Sequence, residues 1–417
     1  MSEINMSEFE QQWPISWNLR DHERYTRIGL EAIRYRLILP EDGRWDIAYG
    51  GLVMGSGETS VLAEGEPGSG KTEFGNIVMG ESVRIDIAST DTSETLEGYT
   101  RPTDGEYNLG KMGLKEENVR LFLNEISHLR DTGPLHKYWD GESLNINGEI
   151  VDTGNVSTYA TTNFADGRRA KELDSALRSR FGISVLAGDN VDQVARAIQS
   201  VDIGRQNKAN HENGLLPPVK SRQQIREGLQ ERYPLDRKAG EYITHVIEGM
   251  NNLGITQPIN PSDARIGRGW QQAERARRLV EGSQAGEVAI KPEDLFRVAS
   301  LALGSIATLS SEAGGYFQEK LGKIDRLSPL EKAVITRRTI AAVAFMSVLD
   351  MNTFVKKDSE ENMVRSMNER SYAYSPQSGT INEAIVTRMH GSKKPVEQEA
   401  KKSHDEKSRG FFKRRSQ

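Results

Sequence analysis

The chain has 417 residues, 36% hydrophobic and 28% charged, the composition of a well-solvated globular protein long enough for two or three domains. Its 55 Lys+Arg against 60 Asp+Glu leave a formal net charge of −5, which gives no overall drive toward nucleic acid or an anionic membrane. Cysteine is absent, excluding disulfides, thiol catalysis and Cys-based zinc sites, and the seven histidines lack metal-ligand spacing.

At the N-terminus, Met1 to Pro14 is polar and acidic, without the basic-then-apolar pattern of a signal peptide. The most apolar run, Thr339 to Leu349, is too short to cross a bilayer as a helix. A soluble, cytoplasmic protein is the expectation.

Leu19 to Leu39 reads as an amphipathic helix, ended by Pro40-Glu41-Asp42-Gly43. Four apolar, β-rich runs follow: Thr59–Ala63, Ser82–Ile87, Val119–Leu123 and Val156–Ala160, with a fifth at Ile183–Leu186. Helical segments between short strands predict a parallel α/β sheet. Two hairpins decorate it, one around Thr103-Asp104-Gly105-Glu106 and one from Leu144 to Ile150 around Asn147-Gly148.

Beyond Asp189 the pattern turns helical, with segments near Val191–Ile203, Ser221–Glu231, Gly240–Leu253, Ser262–Val280 and Pro292–Thr308. Asn260-Pro261-Ser262-Asp263 caps the fourth, and Pro292-Glu293-Asp294 suits the first turn of the fifth. A further helix, Ser328–Leu349, opens on the capping box Ser328-Pro329-Leu330-Glu331. After Asn352 order is expected to lapse, and Lys393–Gln417 reads as a solvated, charged tail. The expected division is a core over residues 1–188, a helical lid over 189–310 and a C-terminal extension over 311–417.

One motif carries the chemistry. Gly65-Glu66-Pro67-Gly68-Ser69-Gly70-Lys71-Thr72 matches G-x-x-x-x-G-K-[ST], between a predicted strand and a predicted helix. Glycines let the loop N–H groups turn inward around a phosphate, with the helix N-terminus behind them. Lys71 then reaches the β- and γ-phosphates of ATP, and the Thr72 hydroxyl ligates Mg²⁺.

Such a loop needs acidic groups at a neighbouring strand end. Asn124-Glu125 ends the third predicted strand, with Glu125 placed to orient or deprotonate water. Asn124 stands at the metal side where an aspartate is usual; its amide oxygen accepts hydrogen bonds but carries no charge. Asn163, ending the fourth strand, is placed to sense a γ-phosphate. Arg178 and Arg180, on a short helix from Leu173, are candidates to reach a neighbour's nucleotide.

In order and spacing these pieces resemble the MoxR family of helix-2-insert AAA+ ATPases, over about Ile28 to Leu303. Thr59 to Thr72 is similar to that family's strand and GxPGxGKT loop. Ile87–Thr92 and Gly98-Tyr99 resemble the approach to its helix-2 insert, and Leu144–Ile150 its pre-sensor hairpin. Asn124-Glu125-Ile126 resembles its DEI motif with the first residue changed. Thr161-Thr162-Asn163 resembles its AT-x-N-P sensor, with Phe164 in place of proline. Arg180-Phe181 resembles its D-R-F arginine finger, Arg178 remaining a second candidate. Ser262-Asp263-Ala264-Arg265 is similar to its S-P-R sensor helix, and Ala289–Asp294 to its V-T-P-E-D lid entry.

The resemblance implies an α/β P-loop core, a helical AAA+ lid and a C-terminal extension outside the shared pattern. It implies that Arg265 touches the nucleotide in cis, with Arg268 as the alternative. It implies a homo-oligomeric, hexameric ring that turns over ATP to ADP and remodels a protein partner, such as a von Willebrand A domain protein. Asn124 motivates a second expectation, an ATP-binding switch or scaffold with little hydrolysis. A nucleic-acid-directed motor is the third, disfavoured by the acidic balance and the lack of an aromatic-plus-basic motif.

Overall fold

The computed structural model describes residues 18–37, 39–40, 42–80, 84–87, 91–92, 94–95, 98–103, 105–111, 120–128, 133–139, 144–146, 149–151, 156–164, 173, 175–188, 214–217, 219–282, 289–351, 360–370 and 379–392. The expected helix near Val191–Ile203 and the tail Lys393–Gln417 lie outside them.

Nine strands occur among the described residues: β1 (Val61–Gly65), β2 (Arg84–Ile87), β3 (Gly98–Thr100), β4 (Tyr107–Leu109), β5 (Arg120–Leu123), β6 (Leu144–Ile146), β7 (Glu149–Val151), β8 (Ser157–Asn163) and β9 (Ile183–Ala187). Five form one sheet in the order β2-β5-β8-β1-β9, every pairing parallel. Residues of β1, β5 and β9 are buried throughout, as a sheet covered on both faces requires. The pairs β3–β4 and β6–β7 are antiparallel hairpins at the two turn signals read from the sequence.

Thirteen α-helices are described: α1 (Leu19–Arg36), α2 (Arg44–Met54), α3 (Lys71–Met79), α4 (Gly133–Trp139), α5 (Ser175–Arg178), α6 (Val219–Arg232), α7 (Arg237–Leu253), α8 (Ala264–Glu281), α9 (Pro292–Ala302), α10 (Ser311–Lys320), α11 (Pro329–Met351), α12 (Glu360–Arg370) and α13 (Gly379–Ser392). Caps set several boundaries. Asn18 accepts from the N–H groups of Arg20 and Asp21 at the start of α1, and Asp263 from that of Arg265 at the start of α8. The box predicted before α11 forms reciprocally, Ser328 N–H to Glu331 at 2.8 Å and Glu331 N–H to the Ser328 hydroxyl at 3.2 Å.

Five of these helices have no counterpart in the sequence reading: α2, α4, α10, α12 and α13. α2 is buried on every side, so it shows no amphipathic stripe. It packs on α8, β8 and β9. A Cβ at Gly50 would lie 2.7 Å from the Ala276 carbonyl oxygen of α8, so glycine is what lets the two helices approach. Order also continues past Asn352, because α12 buries Val364 and Met367 and α13 buries Ile385 and Val386. In turn, α9 ends at Ala302, six residues short of the predicted Thr308.

The helical part is knit together from its centre. Trp270 of α8 donates its indole N–H to the Leu295 carbonyl at 2.8 Å, and the Tyr242 hydroxyl of α7 donates to the Ala344 carbonyl of α11 at 2.6 Å. Helix α11 packs on α7, α9 and α13. No described helix is long and apolar enough to cross a membrane.

Candidate nucleotide-binding site

The site grows from the sheet register. Along β1 and β8, Ala63 lies beside Thr161 and Gly65 beside Asn163. Along β5 and β8, Leu123 lies beside Ala160, so Asn124 and Glu125 leave their strand level with Thr161 and Thr162. Strand β1 sits between two strands that follow it in the chain, and the carboxyl ends of such strands are where α/β sheets open a crevice.

Between β1 and α3 the loop turns on Gly68 (φ 79°) and Gly70 (φ 83°), both left-handed, a region that L side chains disfavour. Nothing lies within 4 Å of where a Gly68 Cβ would stand, so the loop is open on its outer side. Behind it, Tyr159 of β8 donates its hydroxyl to the Lys71 carbonyl at 2.6 Å and fixes the first turn of α3. Tyr159 is in turn packed between Phe74 and Phe122, with ring centroids 5.5 and 5.7 Å away.

Lys71 is buried, and its ammonium donates to the Gly65 carbonyl (3.0 Å), the Glu66 carbonyl (2.7 Å) and the Ser69 hydroxyl (3.1 Å). None of these three acceptors is charged. Burial lowers the Lys71 pKa to about 8, against the opposing pull of Glu125 and Glu66. A buried cation bonded only to neutral oxygens, beside the open N-terminus of a helix, fits a phosphate group.

Thr72, Asn124, Thr161, Glu125 and Asn163 form one connected chain of hydrogen bonds. The hydroxyls of Thr72 and Thr161 donate to Asn124 Oδ1 at 3.4 and 3.0 Å. Glu125 N–H donates to Thr161 Oγ1 at 3.0 Å, and Asn163 Nδ2 donates to Glu125 Oε1 at 2.6 Å. Among the described residues Glu125 is the one non-glycine with a positive φ, 52°. Such a conformation costs about 1–3 kcal/mol and collects at functional sites. The oxygens of Thr72 and Asn124 fit a hard divalent cation such as Mg²⁺, held mostly through its waters.

The arginines lie elsewhere. Arg178 of α5 donates to Glu64 Oε1 (3.1 Å), the Ser305 carbonyl (2.8 Å) and the Leu173 carbonyl (3.0 Å), all within its own chain. Arg180 donates to the Ala176 carbonyl at 2.6 Å and is half-buried. Arg265 pairs with its helix cap Asp263 at 3.1 Å, and Arg268 with Glu58 at 3.2 Å. Of the loop residues, Glu66, Pro67 and Gly68 are exposed and Ser69 and Gly70 half-buried.

Two residues of this region escape the sequence reading. Glu64, buried just before the loop, is shared by Arg178 and by Arg337 of α11, the latter at 3.2 Å. Arg337 also donates to the Ser184 carbonyl and hydroxyl of β9 and to the Ser300 carbonyl of α9. A charge closing an apolar strand marks Glu64 in the sequence. Nothing local marks Arg337, 273 residues away.

The architecture is that of an α/β P-loop nucleoside-triphosphatase core with a helical lid. No family model and no curated protein sequence matches the chain. Among solved structures it is similar to a protein of Cytophaga hutchinsonii described as a "putative ATPase", with TM-score 0.52 and 13% identity over 79% of this chain and 100% of that one. At that identity the likeness is one of fold.

Proposed function

We propose that this chain is an AAA+ ATPase of the MoxR type that binds ATP with Mg²⁺ and uses its hydrolysis to remodel a protein partner. The observation that carries the reading is the contact network joining the Gly65–Thr72 loop to Asn124, Glu125 and Asn163 at adjacent strand ends. Fold alone does not assign an activity; the side chains at this strand end are what support this one.

On this reading the loop N–H groups and Lys71 take the β- and γ-phosphates. Thr72 and Asn124 hold Mg²⁺, which when bound offsets phosphate charge. Glu125 accepts a proton from water as its oxygen attacks the γ-phosphorus and the bond to the β–γ bridging oxygen breaks. Asn163 donates to one carboxylate oxygen of Glu125, so turning Asn163 toward the γ-phosphate frees that oxygen to engage water. Arg178 is committed to Glu64 and Ser305, which favours Arg180 as the group that completes a neighbour's site in a hexameric ring. Arg265 reaches the nucleotide from the lid by releasing Asp263.

A cytoplasmic ring of this kind, working with a partner such as a von Willebrand A domain protein, follows from the resemblance. Asn124 favours a second reading, a nucleotide-dependent scaffold with little turnover. Steady-state hydrolysis separates the two. The motor reading predicts wild-type turnover abolished by Glu125→Gln, while turnover appearing only in Asn124→Asp selects the scaffold. The absence of turnover in wild type and Asn124→Asp alike overturns the ATPase.

A further inference from the structure

Thr161 sits on β8 between the two groups whose roles matter most, and it is 1% exposed. A hydroxyl so buried must donate its proton to a neighbour or lose the full cost of desolvation. The proton goes to Asn124 Oδ1 at 3.0 Å, while the same oxygen atom of Thr161 accepts Glu125 N–H at 3.0 Å. The Thr72 hydroxyl donates to that same Asn124 oxygen at 3.4 Å.

An amide is asymmetric: one end accepts, the other donates. Turned over, Asn124 would present its NH₂ to Thr72 and to any cation held there, and the Thr161 proton would lose its acceptor. We infer that Thr161 is a positioning residue that locks the Asn124 amide with its oxygen toward Thr72, so that asparagine serves at a strand end where a carboxylate is usual. A carboxylate presents oxygen whichever way it lies and needs no such lock. This inference rests on the nucleotide-site reading above.

The test is a cycle on the full chain, measured by equilibrium binding of a fluorescent ATP analogue over a Mg²⁺ titration and in EDTA. In wild type Mg²⁺ tightens binding. Thr161→Val raises the Mg²⁺ concentration for half-effect about tenfold, the scale of one hydrogen bond to a site of this kind. Thr161→Ser keeps the hydroxyl and stays within about twofold. In the Asn124→Asp background Thr161→Val shifts the half-effect less than about threefold, because orientation no longer matters. Within each Asn124 background, binding in EDTA is the same with Thr161 and with its Val or Ser variant.

Equal shifts in both backgrounds assign Thr161 to packing or to the Glu125 N–H alone and overturn the inference. So does a wild type that binds ATP equally with and without Mg²⁺, which leaves nucleotide binding intact. A wild type that binds no nucleotide under either condition removes the site reading itself, and this inference with it. Thr161→Ala against Thr161→Ser reads the same hydroxyl should the valine variant not fold.

Discussion

The strand-end half of the site and its arginine half are organised on different principles. Thr72, Asn124, Thr161, Glu125 and Asn163 are linked by hydrogen bonds, because parallel register brings the ends of β1, β5 and β8 level. Arg178 and Arg265 stand on helices and Arg180 in the turn after α5, and they bond to their own surroundings: Glu64 and Ser305, Asp263, and Ala176 respectively. Sheet geometry can preorganise hydrogen-bond partners across neighbouring strands. On the proposed reading, groups at the end of α5 and the start of α8 reach a ligand when the lid or a neighbouring subunit brings them to it. On the proposed reading the first half supplies binding and the general base, and the second makes turnover depend on assembly.

The largest break in this comparison is expected from the arginines. Arg180→Ala should lower kcat about a thousandfold in the assembled protein while leaving ATP affinity within severalfold. Single-turnover hydrolysis beside nucleotide binding checks it, and equal losses in both place Arg180 outside any transition-state role. Sizing with and without ATP accompanies the assay, since a monomer under every condition contradicts action in trans.

Glu64 is the next point of attack, because it joins the loop strand to Arg178 and Arg337. Glu64→Ala leaves Arg337, whose side chain is only 5% exposed, short of its carboxylate and should cost about 3–5 kcal/mol of unfolding free energy. Denaturant unfolding reads that loss, and an effect below about 1 kcal/mol would mean that the pair only fills space.

A smaller effect follows from Lys71. With its pKa near 8 in the free protein, Lys71 loses its charge as pH rises through that value. Bound phosphate favours the ammonium, so ATP binding above pH 8 takes up a proton. Affinity should then fall by up to tenfold per pH unit until the pKa of the complex is passed. Calorimetry in buffers of different ionisation heat measures the uptake; none at pH 8.5–9 would return Lys71 to ordinary lysine behaviour.

Much of the strand-end half is legible in sequence. Its loop is encoded by residue types with one backbone use, and the strands are short apolar runs ending in polar residues. Each parallel neighbour then falls into place by topology. What escapes has a common cause. Helix α2 is buried all round, with Arg44 and Asp46 among its buried residues, and carries Gly50 and Gly51, so neither period nor propensity marks it. The Glu64–Arg337 pair depends on how α11 returns to β1, a tertiary fact with no local sign. Arg178 and Arg180 look alike as two arginines on one short helix; their different partners are decided by which one faces Glu64 and Ser305. Thr161 is visible only as part of a polar strand end until its two hydrogen bonds are placed.

The account turns on the Gly65–Thr72 loop being a nucleotide site, and calorimetric titration of ATP with Mg²⁺ into wild type and Lys71→Ala tests that most directly. Saturable binding weakened at least about a hundredfold in the variant, with its fold retained by circular dichroism, is the predicted result. Equal binding by both proteins, or none by the wild type, would contradict it.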